Sequence, residues 1–223
     1  MNRAQMVAEL HYVLNNATSG GLISDAVLLN YLAEGQEKLC EDTGFFVDFM
    51  NFQIETTPGV ADYVLDSRII EVWGLFDADK NVWLGRTSEA LNRPRGFTDR
   101  FPFNPGVDTA DSAYWQTDRE TGVLTLSPTP TTARTFQLRC WRYPMVALNG
   151  TGAEPEIPAR FRRACVEWAA YKVFMHHDME TQDPVKATEH FNAYRMYAKE
   201  GATHFRRMHQ QEVVVSFDQA YRT

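Results

Sequence analysis

Histidines and an aspartate near residue 177 are the first candidates for chemistry in this chain. His176, His177 and Asp178 are adjacent, and His190 follows on the next predicted helix. Their order differs from the His-Glu-x-x-His pattern of zinc peptidases, and adjacent histidines point to different sides of a helix. The pattern therefore predicts no metal site, and a helix C-terminus, which favours imidazolium, accounts for these histidines.

Nucleophilic and phosphate-binding motifs are missing from the sequence. There is no Gly-x-Ser-x-Gly, no P-loop, no Gly-x-Gly-x-x-Gly, and no carboxylate pair that would serve as general acid and nucleophile. Cys40 and Cys165 fall on apolar helix faces, which is typical of inert core cysteines. With Cys140 they make an odd number without Cys-x-x-Cys spacing, which argues against a disulfide framework and fits a reducing cytoplasm. We predict no enzyme activity and no cofactor.

Basic residues open the third predicted helix, where Arg160, Arg162 and Arg163 stand close together. They suit either nucleic acid or a protein interface. Residues 158–207 contain nine Lys or Arg and six Asp or Glu, which gives this segment a net charge of +3. Because the whole chain has a net charge of −7, the remaining residues carry −10. This acidic balance speaks against duplex DNA as the main ligand.

Two helical hairpins are expected to carry these side chains. The first spans residues 2–43, with Asn2 and Ser24 as caps and Gly44 as the stop. The second spans residues 158–207, where apolar residues recur by threes and fours, and Trp168 is predicted to lie in the helix interface with Arg160 and Arg163. Helices this apolar need partners on more than one side.

Between the hairpins the hydrophobic period changes to two. Six or seven short strands with turn signals predict a small antiparallel β-sandwich or barrel at residues 50–144. Residues 51–59 and 61–66 are interpreted as two strands that turn at Pro58 and Gly59. Hairpins are predicted around residues 77–81 and 119–122, and a closing strand at about residues 133–144.

Two segments lack a partner of their own in this scheme. Residues 93–112 form a long patternless loop with Phe97, Arg100, Phe101 and Phe103, which predicts a contact with a neighbouring subunit or a tail component. After the last helix come β-prone apolar residues, interpreted as an extended strand that docks on a partner. These are Val213, Val214, Val215 and Phe217.

Two stretches, IETTPGVADYVLDSRIIEVWGLF and WRYPMVAL with EPEIPARFRRACVEWAAYKVFMHHD, resemble head-to-tail adaptor proteins of tailed bacteriophages. The order of helical hairpin, β insertion, helical hairpin and tail is also similar. The resemblance implies a structural virion protein that forms a twelvefold ring beneath the portal and receives the tail or nozzle protein. Some relatives in short-tailed phages are credited with cell-wall hydrolysis, but no residue pattern here matches that activity.

The sequence thus predicts an α+β chain with a discontinuous helical domain (1–49 and 145–207), a β domain (50–144) and an extended C-terminal arm (208–223). We expect a head-to-tail connector at the head-tail junction of the virion, made in the host cytoplasm. Its expected partners are portal protein, tail or nozzle protein and eleven further copies, with packaged DNA passing through the channel without sequence-specific binding and with no membrane contact. Two alternatives stay open at this point: a tail-associated peptidoglycan hydrolase, and a nucleic-acid-binding module that uses Arg93, Arg95, Arg100 and Arg160 to Arg163.

Overall fold

A computed structural model describes residues 1–14, 23–49, 51–86, 114–118, 120–150, 154–175 and 182–220, the last thirteen as backbone alone. The fold is mixed α+β, as predicted. The chain divides into two compact units, a helical unit of Met1–Phe46 and Tyr143–Thr223 and a β unit of Val47–Arg142. Among the described residues no helix combines the length and apolar character needed to cross a bilayer.

The helical unit contains four described helices. They are α1 (Arg3–Val13), α2 (Asp25–Thr43), α3 (Arg162–Phe174) and α4 (Pro184–Ala220), and a 3-10 turn at Ala159–Phe161 precedes α3.

Local sequence signals explain where the first two helices begin and end. Asn2 caps α1 in a reciprocal box, in which its side chain accepts from the Gln5 backbone and the Gln5 side chain accepts from the Asn2 backbone. Ser24 occupies the cap position of α2 without a side-chain hydrogen bond, and Gly44 ends that helix in the left-handed conformation at φ 68°. These predicted boundaries are confirmed.

Helix α3 is the most buried element of the helical unit. Eight apolar side chains on it are at most 9% exposed: Ala164, Cys165, Val166, Trp168, Ala169, Ala170, Val173 and Phe174. Helix α2 approaches α3 closely, since a Cβ at Gly35 would lie 3.1 Å from the Cys165 carbonyl oxygen. Helix α4 approaches the end of α2 in the same way, since a Cβ at Gly201 would lie 2.7 Å from the Phe45 ring. Glycine therefore sets the spacing of two helix contacts.

Gln36 is a buried amide without a hydrogen-bond partner among the described residues. It is 1% exposed, and neither its amide oxygen nor its nitrogen is paired. Leaving such a group unsatisfied costs about 1–3 kcal/mol. We expect Gln36→Met, which keeps the length and helix propensity of the side chain, to raise the melting temperature in a thermal unfolding scan. Gln182→Met, at an exposed position, should leave it unchanged. A lower melting temperature for Gln36→Met would show that the amide has a partner, such as a buried water.

The β unit is one sheet that curls into a half-barrel. Along the sheet the order is β1-β8-β4-β5-β6-β7-β3, and β2 pairs with β8 beside β1. The eight described strands are β1 (Val47–Asp48), β2 (Gln53–Glu55), β3 (Asp62–Val64), β4 (Ile69–Asp77), β5 (Val82–Arg86), β6 (Tyr114–Asp118), β7 (Val123–Ser127) and β8 (Thr135–Arg142).

The two predicted hairpins of the β unit are present. β4 and β5 pair across a turn at Asn81, which has φ 57°, and β6 and β7 pair across Gly122, which has φ 64°. The Asp77 side chain accepts from the backbone of Asp79 and of Lys80, so a local side-chain bond fixes the first turn.

Other predictions about the sheet are wrong. The chain does turn at Gly59, but β2 pairs with β8 and β3 with β7, so the strands on either side of that turn do not form a hairpin. β5 and β6 are parallel, so the sheet is not purely antiparallel. The predicted closing strand, β8, is an inner strand that pairs with β1, β2 and β4. Each error concerns pairing between distant segments, which local periodicity does not encode.

The prediction of an extended C-terminal arm is also wrong, because α4 continues as one helix to Ala220. Its backbone is helical through positions 213–217, which we interpreted as a strand. The physical reason is that β-branched residues lower helix propensity by a few tenths of a kcal/mol each, while extending an existing helix needs no new nucleus. Residues 221–223 lie outside the described residues.

Candidate interaction surfaces of the helical unit

The predicted helix-interface residues lie at or just before the start of α3 and on its inner face. Trp168 is 9% exposed, and its ring centroid lies 5.0 Å from that of Tyr194 and 6.3 Å from that of Phe191, both on α4. Arg160 is exposed and stands over the Phe161 ring, with its guanidinium carbon 4.5 Å from the centroid. Trp168 thus joins α3 to α4 within one subunit, whereas Arg160 is available at the surface.

Arg163 belongs to a polar network that connects three helices. Its guanidinium donates to Glu9 on α1 and, at 2.7 Å, to the Glu167 carboxylate. The other oxygen of Glu167 lies 2.6 Å from Nδ1 of His190 on α4. Glu167 is 7% exposed, so its carboxylate is buried with two partners of its own. This network explains His190 as a structural residue.

Arg162 is likewise occupied within the subunit. Its guanidinium donates to the carbonyl oxygens of Met1, Pro155 and Ile157 at 2.5–2.8 Å. Two of the three arginines of the basic cluster therefore hold the fold together, which weakens the interpretation of the cluster as a nucleic-acid site. Arg93, Arg95 and Arg100, the other arginines of that hypothesis, lie outside the described residues.

An open groove runs along the exposed side of α4 between positions 192 and 206, with Asp42 of α2 at its edge. Its volume is 740 Å³. We call it the α4 groove. Arg195, Lys199 and Arg206 line it, and these three cations make no ion pair with any described residue. Met196, 75% exposed, also lines it.

Asp42 leaves most of the positive charge of the α4 groove unbalanced, because one carboxylate stands against three cations and also contacts two residues beside the groove. One oxygen accepts from the Tyr194 hydroxyl at 2.6 Å, and the other lies 3.2 Å from the Lys38 ammonium. Burial is the main cause that raises the pKa of Tyr194 well above its usual value, and the hydrogen bond to Asp42 raises it further. The hydroxyl therefore stays protonated and remains a donor. The groove therefore presents cations that have no ion pair in the described part of the chain, beside an exposed thioether.

Helix α2 carries an acidic stripe, defined here as Glu34, Glu37 and Glu41, spaced by three and four residues. Glu34 pairs with Lys172 at 2.9 Å, and Glu41 accepts from Tyr143 and pairs with Lys38. Glu37 is exposed and has no ion pair within the described part of the chain. Partial loss of hydration is the main cause that raises the pKa of the Glu37 carboxyl. The negative charges of Glu34 and Glu41 raise it further.

The α4 groove is not among the surfaces predicted from the sequence. Its cations contribute to the charge of residues 158–207, but a charge total does not show that they share one face. The signal was present, since Asn192, Arg195, Lys199, Ala202 and Arg206 follow the alternating spacing of three and four residues that marks one helix face.

Other candidate residues divide between the core and positions that the structure does not describe. Cys40, Cys140 and Cys165 are free and buried, and burial raises the pKa of Cys140 and of Cys165 to about 12. In the described ranges no group of three or more His, Cys, Asp or Glu is placed to hold a metal ion. Outside them lie His176, His177, Asp178, Phe97, Phe101 and Phe103, and for Val213, Val214, Val215 and Phe217 the structure gives the helical backbone alone.

Comparison with protein-family models matches the chain to the SU10 adaptor protein family over residues 1–215. The matched range includes all of the β unit and the α4 groove. No curated protein matches the chain. The family match confirms the resemblance to phage head-to-tail adaptors that the two sequence stretches indicated.

Proposed function

This chain belongs to the SU10 adaptor protein family, and we propose that it forms a ring of twelve subunits beneath the portal of a tailed phage and joins it to the tail. The observation that carries the proposal is the family match over 215 of 223 residues. The adaptor family is a structural one, and the chain is accordingly a phage adaptor and a component of the virion.

The proposed contact with portal protein lies at the C-terminal end of α4, in residues 208–223, with Val213, Val214, Val215 and Phe217 as its apolar residues. Support comes from the composition of this segment and from its helical backbone. An apolar helix end suits a hydrophobic groove on a partner, so we propose docking of a helix instead of the addition of a strand.

Packaged DNA is proposed to pass through the ring without sequence-specific binding. A chain of net charge −7 lowers the affinity of the ring for the phosphate backbone and so favours sliding. The pairing of Arg162 and Arg163 within the subunit supports the same view, since it removes two cations from the nucleic-acid hypothesis.

The segment with Phe97, Arg100, Phe101 and Phe103 is proposed to contact a neighbouring subunit or the tail or nozzle protein. If so, trypsin should cleave after Arg95 or Arg100 more slowly in the assembled particle than in the free subunit. The measurement is the rate of appearance of the two fragments by mass spectrometry. Cleavage after Lys186, which is exposed near the start of α4 and lies outside the proposed contacts, provides an internal reference for access of the protease. If cleavage in the loop and cleavage at the reference site slow by the same factor in the particle, the loop makes no specific contact.

Electron microscopy of the purified chain mixed with portal-bearing heads tests the proposed function. The expected result is additional density of twelvefold symmetry at the portal vertex, on heads that carry no tail. Heads that look the same with and without the chain would overturn the proposal.

A further inference from the structure

We infer that the α4 groove binds the acidic stripe of α2 on a second copy of this chain, an inference that rests on the ring proposed above. A closed ring is built from heterologous contacts, in which one surface of a subunit meets a different surface of its neighbour. The helical unit offers two such surfaces of opposite charge. Residues 184–207 contain five Lys or Arg and two Asp or Glu, which gives a net charge of +3. Residues 1–46 contain two Lys or Arg and six Asp or Glu, which gives a net charge of −4.

The charged groups on the two surfaces have matching separations. Arg195 and Lys199 are four residues apart on α4, and Glu37 and Glu41 are four residues apart on α2, so each pair spans about 6 Å along its helix. Two antiparallel helices lying side by side can therefore bring Glu37 opposite Lys199 and Glu41 opposite Arg195. The Glu41 carboxylate is then shared between the neighbour and its own Lys38 and Tyr143. Arg206 lies farther along the groove and adds to its positive field.

Charges that lack partners within the subunit are the ones that gain most from an intermolecular pair. Arg195, Lys199 and Glu37 make no ion pair among the described residues. Partial loss of hydration and, to a smaller extent, repulsion from Glu34 and Glu41 raise the pKa of Glu37. A cation from a neighbour would offset this repulsion.

The composition of the groove favours a protein occupant over a nucleic acid. Met196, 75% exposed, lies among the cations, and methionine is enriched at protein interfaces. A phosphate backbone would leave this side chain in water. A carboxylate-bearing helix neutralises the cations and also covers the thioether.

Charge reversal tests the inference through the number of subunits bound per portal-bearing head at fixed protein concentration and moderate salt. Glu37→Lys and Lys199→Glu should each weaken assembly by about tenfold or more, because each places like charges opposite one another. The chain that carries both changes should recover wild-type assembly, since opposite charges face each other again. Lys186→Glu makes the same change of charge on α4 outside the groove and should assemble like the wild type.

A bismaleimide reagent gives a second readout that does not depend on the energy of the ion pairs. The chain with Glu37→Cys and Lys199→Cys should yield a ladder of covalent oligomers on heads, and either single variant should not. The three native thiols are 0% exposed and should not compete.

The possible outcomes separate this inference from the proposed ring. If the wild type forms rings and both single reversals assemble normally, the inference is wrong and the ring stands. Failure of the double variant to recover would also overturn it, since the two surfaces would not face each other. A salt-sensitive gel shift with DNA that Lys199→Glu abolishes, with assembly unchanged, would reassign the groove to nucleic acid. If the wild type forms no ring on heads, the proposed function and the inference fall together.

Discussion

Replacing Trp168 with alanine is expected to lower the free energy of unfolding by about 3–5 kcal/mol, the usual cost of truncating a buried aromatic side chain. The ring is 9% exposed and lies between α3 and α4, with centroids 5.0 Å from Tyr194 and 5.4 Å from Tyr171. Its Cβ and Cδ1 atoms also lie 3.1 Å from the position that a Cβ on Gly35 would occupy. Truncation therefore opens a cavity where three helices meet, and backbones this close cannot move together to fill it.

Thermal unfolding of the purified variant measures this cost. In a chain of this size each kcal/mol corresponds to about 2–4 °C, so a loss of about 3–5 kcal/mol should lower the melting temperature by roughly 6–20 °C. Trp168→Phe should lose much less, because it keeps an aromatic ring and removes an indole N–H that has no partner among the described residues. Tyr12→Ala, at a side chain 83% exposed on α1, controls for the loss of an aromatic residue as such. An unchanged melting temperature for Trp168→Ala would show that this ring is not part of the core.

Local signals in the sequence were sufficient to place most helices and turns. The cap at Asn2, the glycine stop at Gly44 and the turns at Asn81 and Gly122 all depend on the conformational preferences of one or two residues. Such preferences act within a few residues, so a single sequence reveals them. The identification of Trp168 as a core residue followed in the same way from helical periodicity.

Long-range pairing could not be predicted from the same signals. β2 and β3 flank a real turn, yet each pairs with a strand about sixty to eighty residues away, β2 with β8 and β3 with β7. The parallel contact of β5 with β6 depends equally on packing of the whole sheet. Alternating hydrophobicity identifies a strand without identifying its neighbour.

Basic residues show the same limit at the candidate site. Arg162 and Arg163 stood out in the sequence because they are adjacent, but the structure pairs them with backbone carbonyls and with buried or half-buried carboxylates. Arg195 and Lys199 did not stand out, yet they are exposed and unpaired among the described residues. Whether a cation is free for a partner depends on what the fold places beside it, which a count of charges cannot show.

Deleting residues 208–223 is expected to abolish attachment to portal-bearing heads while leaving the subunit folded. The described packing of α4 on the rest of the helical unit lies before the deletion, at Tyr194, Ala198 and Gly201 and at His204, whose ring centroid is 6.1 Å from that of Phe161. The core should therefore survive truncation, and the melting temperature should stay within a few degrees of the wild-type value.

The size of the expected effect comes from the number of copies. Burial of Val213, Val215 and Phe217 on a partner would contribute about 1.5–3 kcal/mol for each side chain. Ordering an extended segment would offset much of that gain, at about 1 kcal/mol or more per residue, but a segment that is already helical loses less freedom on docking. In the proposed ring each docked helix also raises the effective concentration of the next, so modest contacts add up to stable attachment. Removing the segment removes all of them at once.

Co-sedimentation of the truncated chain with portal-bearing heads measures attachment, and a thermal scan of the same sample reports folding. Phe217→Asp should reduce attachment in the full-length chain, whereas Gln219→Asp, the same acidic residue two positions later, should have little effect. Truncated protein that binds heads like the wild type would show that the portal contact lies elsewhere. Truncated protein that melts at a much lower temperature would show instead that the end of α4 belongs to the core of its own subunit.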